Sequence, residues 1–186
     1  MASLLGAELE HIELNFTDPW TEVDGERSSL KTKHPIFSDQ VVREALNLLV
    51  DRGSVERFIY GRSGKATANF LNAPERFASK SATWEFNVEK ANQALELAGW
   101  VRGADGVRVK DGKKLKFVFQ TTTNALRQKT QAIIKQACQK AGIELELKSI
   151  ARRCFSRPMR RTQIRRRTFM PIWRCLHLLG TPIRNF

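Results

Sequence analysis

Residues 106–150 read GVRVKDGKKLKFVFQTTTNALRQKTQAIIKQACQKAGIELELKSI. Three patterns follow one another there. Val107 and Val109 alternate, Asp111-Gly112 is a strong hairpin turn, and Leu115, Phe117 and Phe119 alternate again. Asn124 then stands as an N-cap before ALRQKTQAIIKQACQKA, a long helix that Gly142 ends. IELELKS, residues 143–149, sets Ile143, Leu145 and Leu147 on one face of another strand. Strand, helix and strand in this order make a βαβ unit, so the strands flanking the helix are predicted to run parallel. Ligands of such units lie beyond the carboxyl ends of the strands. That edge here is Gln120-Thr121-Thr122-Thr123, just before the helix N-terminus. Gln120, Thr121 and Thr122 are therefore the candidate ligand-facing groups.

Upstream, the same α/β style continues. Ser38 is a good N-cap, with Asp39 in the first turn, for a helix carrying Val41, Val42, Ala45, Leu46, Leu49 and Val50 at helical spacing. Ser54 can cap a short second helix, VERFIYG. Residues 62–83 read as loop. Asn87 caps VEKANQALELA, Gly99 stops it, and Trp100 is expected to pack back on it. LEHIELNF, residues 9–16, alternates as a strand does, whereas 17–37 is polar and punctuated by Pro19, Gly25 and Pro35. That stretch reads as a long irregular crossing segment, with His34 as a solvated loop residue. Residues 1–150 thus form one coherent α/β body.

The charge divides at the same place. The chain carries +13, but residues 151–186 hold ten arginines and no acid, while residues 1–150 hold 22 bases and 19 acids. A basic excess points to nucleic acid or another anionic partner. Here it belongs to the tail, where Arg152, Arg153, Arg160, Arg161, Arg165, Arg166 and Arg167 are the alternative nucleic-acid contacts. Such a block attracts phosphate by counterion release, without specificity. It also lacks the interleaved aromatics of single-strand binders, since Phe155, Phe169 and Trp173 are scattered.

Catalytic and metal chemistry finds no constellation. His11, His34 and His177 are far apart, and Cys138 is the lone cysteine of the body, a small apolar residue on a helix. No phosphate-binding loop, nucleophile elbow or zinc-protease motif occurs. The expectation is a protein that is not an enzyme and holds no cofactor or metal. No run of about 18 apolar residues exists. The start, MASLLGAELEHIEL, lacks a basic n-region, so as written the chain is expected to stay in the cytoplasm.

Three segments carry a family resemblance. HPIFSDQVVREALNLLVDRGSV has Pro35, Phe37, Ser38, Asp39, Val42, Arg43, Ala45, Leu46, Asp51 and Arg52 where the extracytoplasmic solute-binding proteins of family 5 have their pattern. WEFNVEKANQALELAGW is similar to that family's helix ending in Ala-Gly-Trp, with Lys90, Ala91, Leu95, Ala98, Gly99 and Trp100 matching and Asn87-Val88 replacing the commoner Asp-Pro. Residues 105–150 resemble its hairpin, long helix and Gly-Ile-strand. The resemblance covers nearly all of residues 8–150. It implies part of one lobe of a type II periplasmic-binding-protein fold, with an irregular or disordered basic tail. It implies capture of peptides or related solutes, without chemistry, for the permease of an ABC importer. It also implies a periplasmic or cell-envelope location and no specific nucleic acid.

Full members of that family are several hundred residues long and begin with a signal peptide, so the resemblance implies that this chain is a fragment whose binding is impaired. Dipeptide-binding relatives carry a cation near the end of the strand before the long helix, where this chain has the neutral Gln120. The tail has its own reading. Permissible codons from Ala151 onward, shifted by one base, encode Ala-Ser-Val-Phe-Phe-Ser-Ser-Asp-Ala-Ala-Asn-Pro, which is how the family continues. The expected organisation is a family domain over 1–150 and an out-of-frame, arginine-rich segment over 151–186.

Overall fold

A computed structural model describes residues 9–70, 75–151 and 172–178. The predicted βαβ unit is its centre. Strand β7 (Lys116–Thr122) leads into helix α4 (Ala125–Lys140), which returns to strand β8 (Glu144–Ile150). β7 and β8 are parallel, with Phe117 beside Leu145 and Phe119 beside Leu147. Asn124 caps α4 as expected, its Oδ1 accepting from Leu126 N at 2.9 Å and Arg127 N at 3.2 Å. Gly142 ends it at φ +78°, and a Cβ there would lie 3.0 Å from Arg108 Cγ and 3.1 Å from Gly106 O. Glycine is needed twice over, for the left-handed backbone and for the close approach.

The four-stranded main sheet has the order β1-β9-β7-β8, where β1 is Leu9–Leu14 and β9 is Ile172–Leu178. β9 runs antiparallel to β1 and parallel to β7. The sequence predicts an irregular tail. Its described portion instead includes this strand, because backbone pairing between two flanking strands needs an extended segment more than it needs a side-chain period. The rest of the tail, including all seven candidate arginines, lies outside the described residues.

Asp111-Gly112 makes its turn with φ +50° and +71°, the two positive values of a type I′ hairpin. The hairpin does not feed straight into β7, however. β4 (Val101–Arg102), β5 (Arg108–Lys110) and β6 (Lys113–Lys114) form a separate small sheet, and the chain changes sheets at Leu115. The crossing segment 17–37 is irregular apart from a two-residue ladder between β2 (Glu22–Val23) and β3 (Glu26–Arg27).

Helix α1 (Gln40–Leu48) takes its cap from Asp39, whose Oδ1 accepts from Val41 N at 3.0 Å. Ser38, the expected cap, instead donates its hydroxyl to His34 O. Likewise Asp51, not Ser54, caps the short α2 (Arg52–Val55), accepting from Ser54 N at 2.9 Å. In both cases an aspartate was available close by, one residue after Ser38 and three residues before Ser54, and its charge suits the positive helix end. One π turn, Glu56–Tyr60, follows α2. Helix α3 (Val88–Leu97) is capped by Asn87 as predicted, and Trp100 is buried.

One core cluster joins these layers: Phe37, Val42, Ala45, Leu46 and Leu49 around α1, Ala91 and Leu95 of α3, Phe117 and Phe119 of β7, Ile134 and Cys138 of α4, and Leu145 of β8. Phe37 stacks on Phe117 with ring centroids 4.6 Å apart. His34 belongs to this interior, against the expectation of a solvated loop residue. Its Nδ1 accepts from Ile36 N at 3.1 Å and Phe37 N at 3.0 Å, so the ring replaces a cap for the turn leading into α1.

Candidate functional site

Gln120, Thr121 and Thr122 end β7, with 8%, 0% and 5% of their surface exposed. Thr121 turns to the same face as Phe117 and Phe119, while Gln120 and Thr122 share the opposite face and form a ledge, recessed rather than open. Thr123 N donates to Ile150 O at 3.1 Å and closes the β7–β8 edge above it. Gln131 Nε2 donates to Phe119 O at 2.7 Å, and Gln128 Nε2 to Ser149 Oγ at 3.1 Å, so the first turns of α4 are pinned to both strand ends. The Thr121 hydroxyl oxygen is buried without a hydrogen-bond partner.

Three groups absent from the sequence reading complete the ledge. Arg127, in the first turn of α4 and only 8% exposed, donates from Nε to Glu10 Oε1 at 2.9 Å and from one terminal nitrogen to Thr122 Oγ1 at 3.2 Å. Glu10, on β1, accepts a second hydrogen bond from the Tyr60 hydroxyl through Oε2. Tyr60 ends the π turn, and such turns recur at functional sites. One signal for Arg127 was available. The first turn of α4 contains no acid, and a cation there opposes the helix dipole, so it requires a carboxylate from elsewhere. Its partner lies 117 residues away in sequence, which no local pattern reveals.

Other titratable groups serve the fold. Burial holds the His34 pKa down at about 4, against the pull of Asp18. Burial pushes the Cys138 thiol up to about 12. Burial would raise Asp39, but hydrogen bonds from Trp100 Nε1 and Val41 N, with Lys110 nearby, hold it below the usual carboxylate value. Asp39 lines a cavity of about 120 Å³ with Pro35, Trp100, Lys110, Asp111 and Lys113, at the opposite end of β7 from the ledge. Its carboxylate is already engaged by Trp100 at 3.1 Å and Lys110 at 3.5 Å. Among the described residues no three His, Cys, Asp or Glu side chains gather as metal ligands, and no helix is long and apolar enough to cross a membrane. The ledge offers hydrogen bonds and a neutralised ion pair, which suit binding.

The profile described as "Bacterial extracellular solute-binding proteins, family 5 Middle" matches residues 8–168. The oligopeptide-binding protein AppA of Bacillus subtilis is 31% identical over 120 residues, which is 61% of this chain and 22% of that protein. Among solved structures, lactococcal OppA, complexed with an endogenous peptide in the closed conformation, superposes with a TM-score of 0.67 at 19% identity, covering 82% of this chain and 29% of that one. AppA from Bacillus subtilis in complex with a nonapeptide gives a TM-score of 0.60 at 25% identity, covering 80% and 29%. The chain thus spans less than a third of the length of these relatives.

Proposed function

The chain belongs to the bacterial extracellular solute-binding proteins of family 5, and on that premise we propose that its β7 ledge is one wall of a peptide-binding cleft serving an ABC importer. The observation that carries this reading is the ledge itself. Gln120, Thr121 and Thr122 stand at the carboxyl end of a parallel strand, before a helix N-terminus, where α/β units take their ligands. Peptide cargo is supported by the relatives, one named as an oligopeptide-binding protein and two solved with peptides bound. Its partners would be the peptide and the importer's permease, which it would meet at the outer face of the cytoplasmic membrane.

The chain spans 22% to 29% of those relatives, so the proposal assigns it one wall of the cleft. Binding by these 186 residues is then weak, too weak for a clear saturable heat in isothermal titration. The test is a ¹⁵N-NMR titration with millimolar peptide, a sugar and a nickel chelate in parallel. The proposal expects peptide to move the amides of residues 120–123 progressively. Shifts from the sugar or the chelate alone, or peptide shifts confined to other residues, would overturn it.

A further inference from the structure

We propose that Arg127 is a positioning residue that makes the Thr122 hydroxyl a hydrogen-bond donor, so that the ledge selects solutes presenting neutral carbonyl oxygens, as a peptide main chain does. The inference rests on the binding role proposed above and names the chemistry the ledge prefers. A guanidinium carries donors only. In the 3.2 Å contact with Arg127 the Thr122 oxygen must therefore accept, which leaves its hydroxyl hydrogen directed away from the guanidinium. No acceptor for that hydrogen is found among the described residues, and the neighbouring Thr121 hydroxyl is likewise without a partner. Thr122 shares its face of β7 with Gln120, whereas Thr121 lies on the opposite face with Phe117 and Phe119, so the donor of the ledge is the Thr122 hydroxyl.

Charge decides what such a ledge takes. Arg127 alone would draw an anion. Glu10 lies against its Nε at 2.9 Å and cancels the charge locally, and Tyr60 holds that carboxylate in place from its other oxygen. The remaining preference is for a dipolar acceptor rather than an anion. Lysine at position 127 would not serve, because its compact ammonium lacks the planar fork that reaches a carboxylate and a hydroxyl at once.

Tyr60 is the chain's single tyrosine, which gives a clean reporter. In chain labelled with ¹³Cζ-tyrosine, Arg127→Met should shift the Tyr60 resonance by releasing Glu10, whereas Thr122→Val should not. An unmoved Tyr60 in Arg127→Met overturns the positioning role without reference to any ligand. The binding arm titrates acetyl-(Gly-Ser)₂-amide, a neutral peptide, against sodium acetate. Arg127→Met and Thr122→Val should each weaken the peptide about five- to tenfold, and Thr122→Ser should restore it. The double variant should be about as weak as either single one, because both remove the same donor. Loss in Arg127→Met with none in Thr122→Val, additive losses, or acetate binding as well as the peptide would overturn the inference. A wild-type chain whose residues 120–123 do not respond to peptide overturns the binding role itself and the carbonyl preference with it.

Discussion

Arg108 holds the corner where α3, the small sheet and the end of α4 meet, and removing it separates two ways a buried cation can stabilise. The residue is 1% exposed. All five of its donors are used: Nε on Ala141 O at 2.9 Å, one terminal nitrogen on Glu96 Oε2 at 2.7 Å and on Trp100 O, the other on Asn92 O at 3.4 Å and Asn92 Oδ1 at 3.0 Å. The Glu96 side chain is 60% exposed and can turn to water, so its loss of a partner strands no charge. The carbonyls of Ala141 and Trp100 are fixed in a buried main chain and cannot. Replacing a buried ion pair by an apolar side chain is often neutral, but here the abandoned acceptors are backbone atoms that stay behind. Each unpaired buried acceptor costs about 1–3 kcal/mol, partly offset by no longer desolvating the guanidinium. Arg108→Met, which keeps the stem volume, should therefore lose about 3 kcal/mol, or about 6–12 °C in Tm for a chain of this size. Glu96→Gln should lose less than about 1 kcal/mol, as exposed ion pairs do. Urea unfolding and calorimetry measure both. A Glu96→Gln loss equal to that of Arg108→Met, or an Arg108→Met loss below about 1 kcal/mol, would refute the reasoning.

Three further outcomes are expected. The folded chain keeps His34 neutral down to about pH 4, against 6.5 for the free side chain, so the unfolded chain binds the extra proton in between. Stability is then full above about pH 6.5 and falls by about 3 kcal/mol as pH drops toward 4; a His34 NMR titration midpoint near 6.5 in the folded chain would contradict this. Cys138, buried and with its thiol pushed up to about 12, should resist iodoacetamide in the folded chain and react in urea, as peptide mass spectrometry would show. Resequencing the gene through the Ile150 codon should reveal a family-like continuation one base out of register, as expected from the sequence of residues 151–186; a genuine frame without that continuation contradicts the expectation.

The βαβ unit was legible because its signals are local. Asn124, Gly142 and the Asp111-Gly112 turn each need only a few neighbouring residues to act, and all three do what the sequence predicts. The ledge residues followed from that unit by topology alone. What could not be read depends on contacts across the chain. Glu10 and Arg127 meet only because β1 lies across the sheet from the start of α4. His34 looked solvated because Pro35 and the polar residues around it hide the packing of Trp20 and Phe37 on its ring, with centroids 5.6 and 4.5 Å away. β9 has no countable period, since IWRCLHL mixes apolar and polar residues irregularly. Its place follows from the pairing groups that β1 and β7 present on either side. The two misplaced caps, Ser38 and Ser54, show a smaller effect: serine and aspartate are near-equal as caps, and tertiary contacts decide between neighbours.

Photoaffinity mapping tests the binding role of the ledge most directly, because covalent capture detects weak ligands. A neutral peptide carrying a benzophenone would be irradiated with the chain and the crosslinks located by mass spectrometry. The account predicts labelling concentrated around Gln120–Asn124 and Tyr60, and suppressed by excess unlabelled peptide. Labelling centred on the Pro35–Lys113 cavity or the arginine-rich tail, or spread without competition, would contradict it.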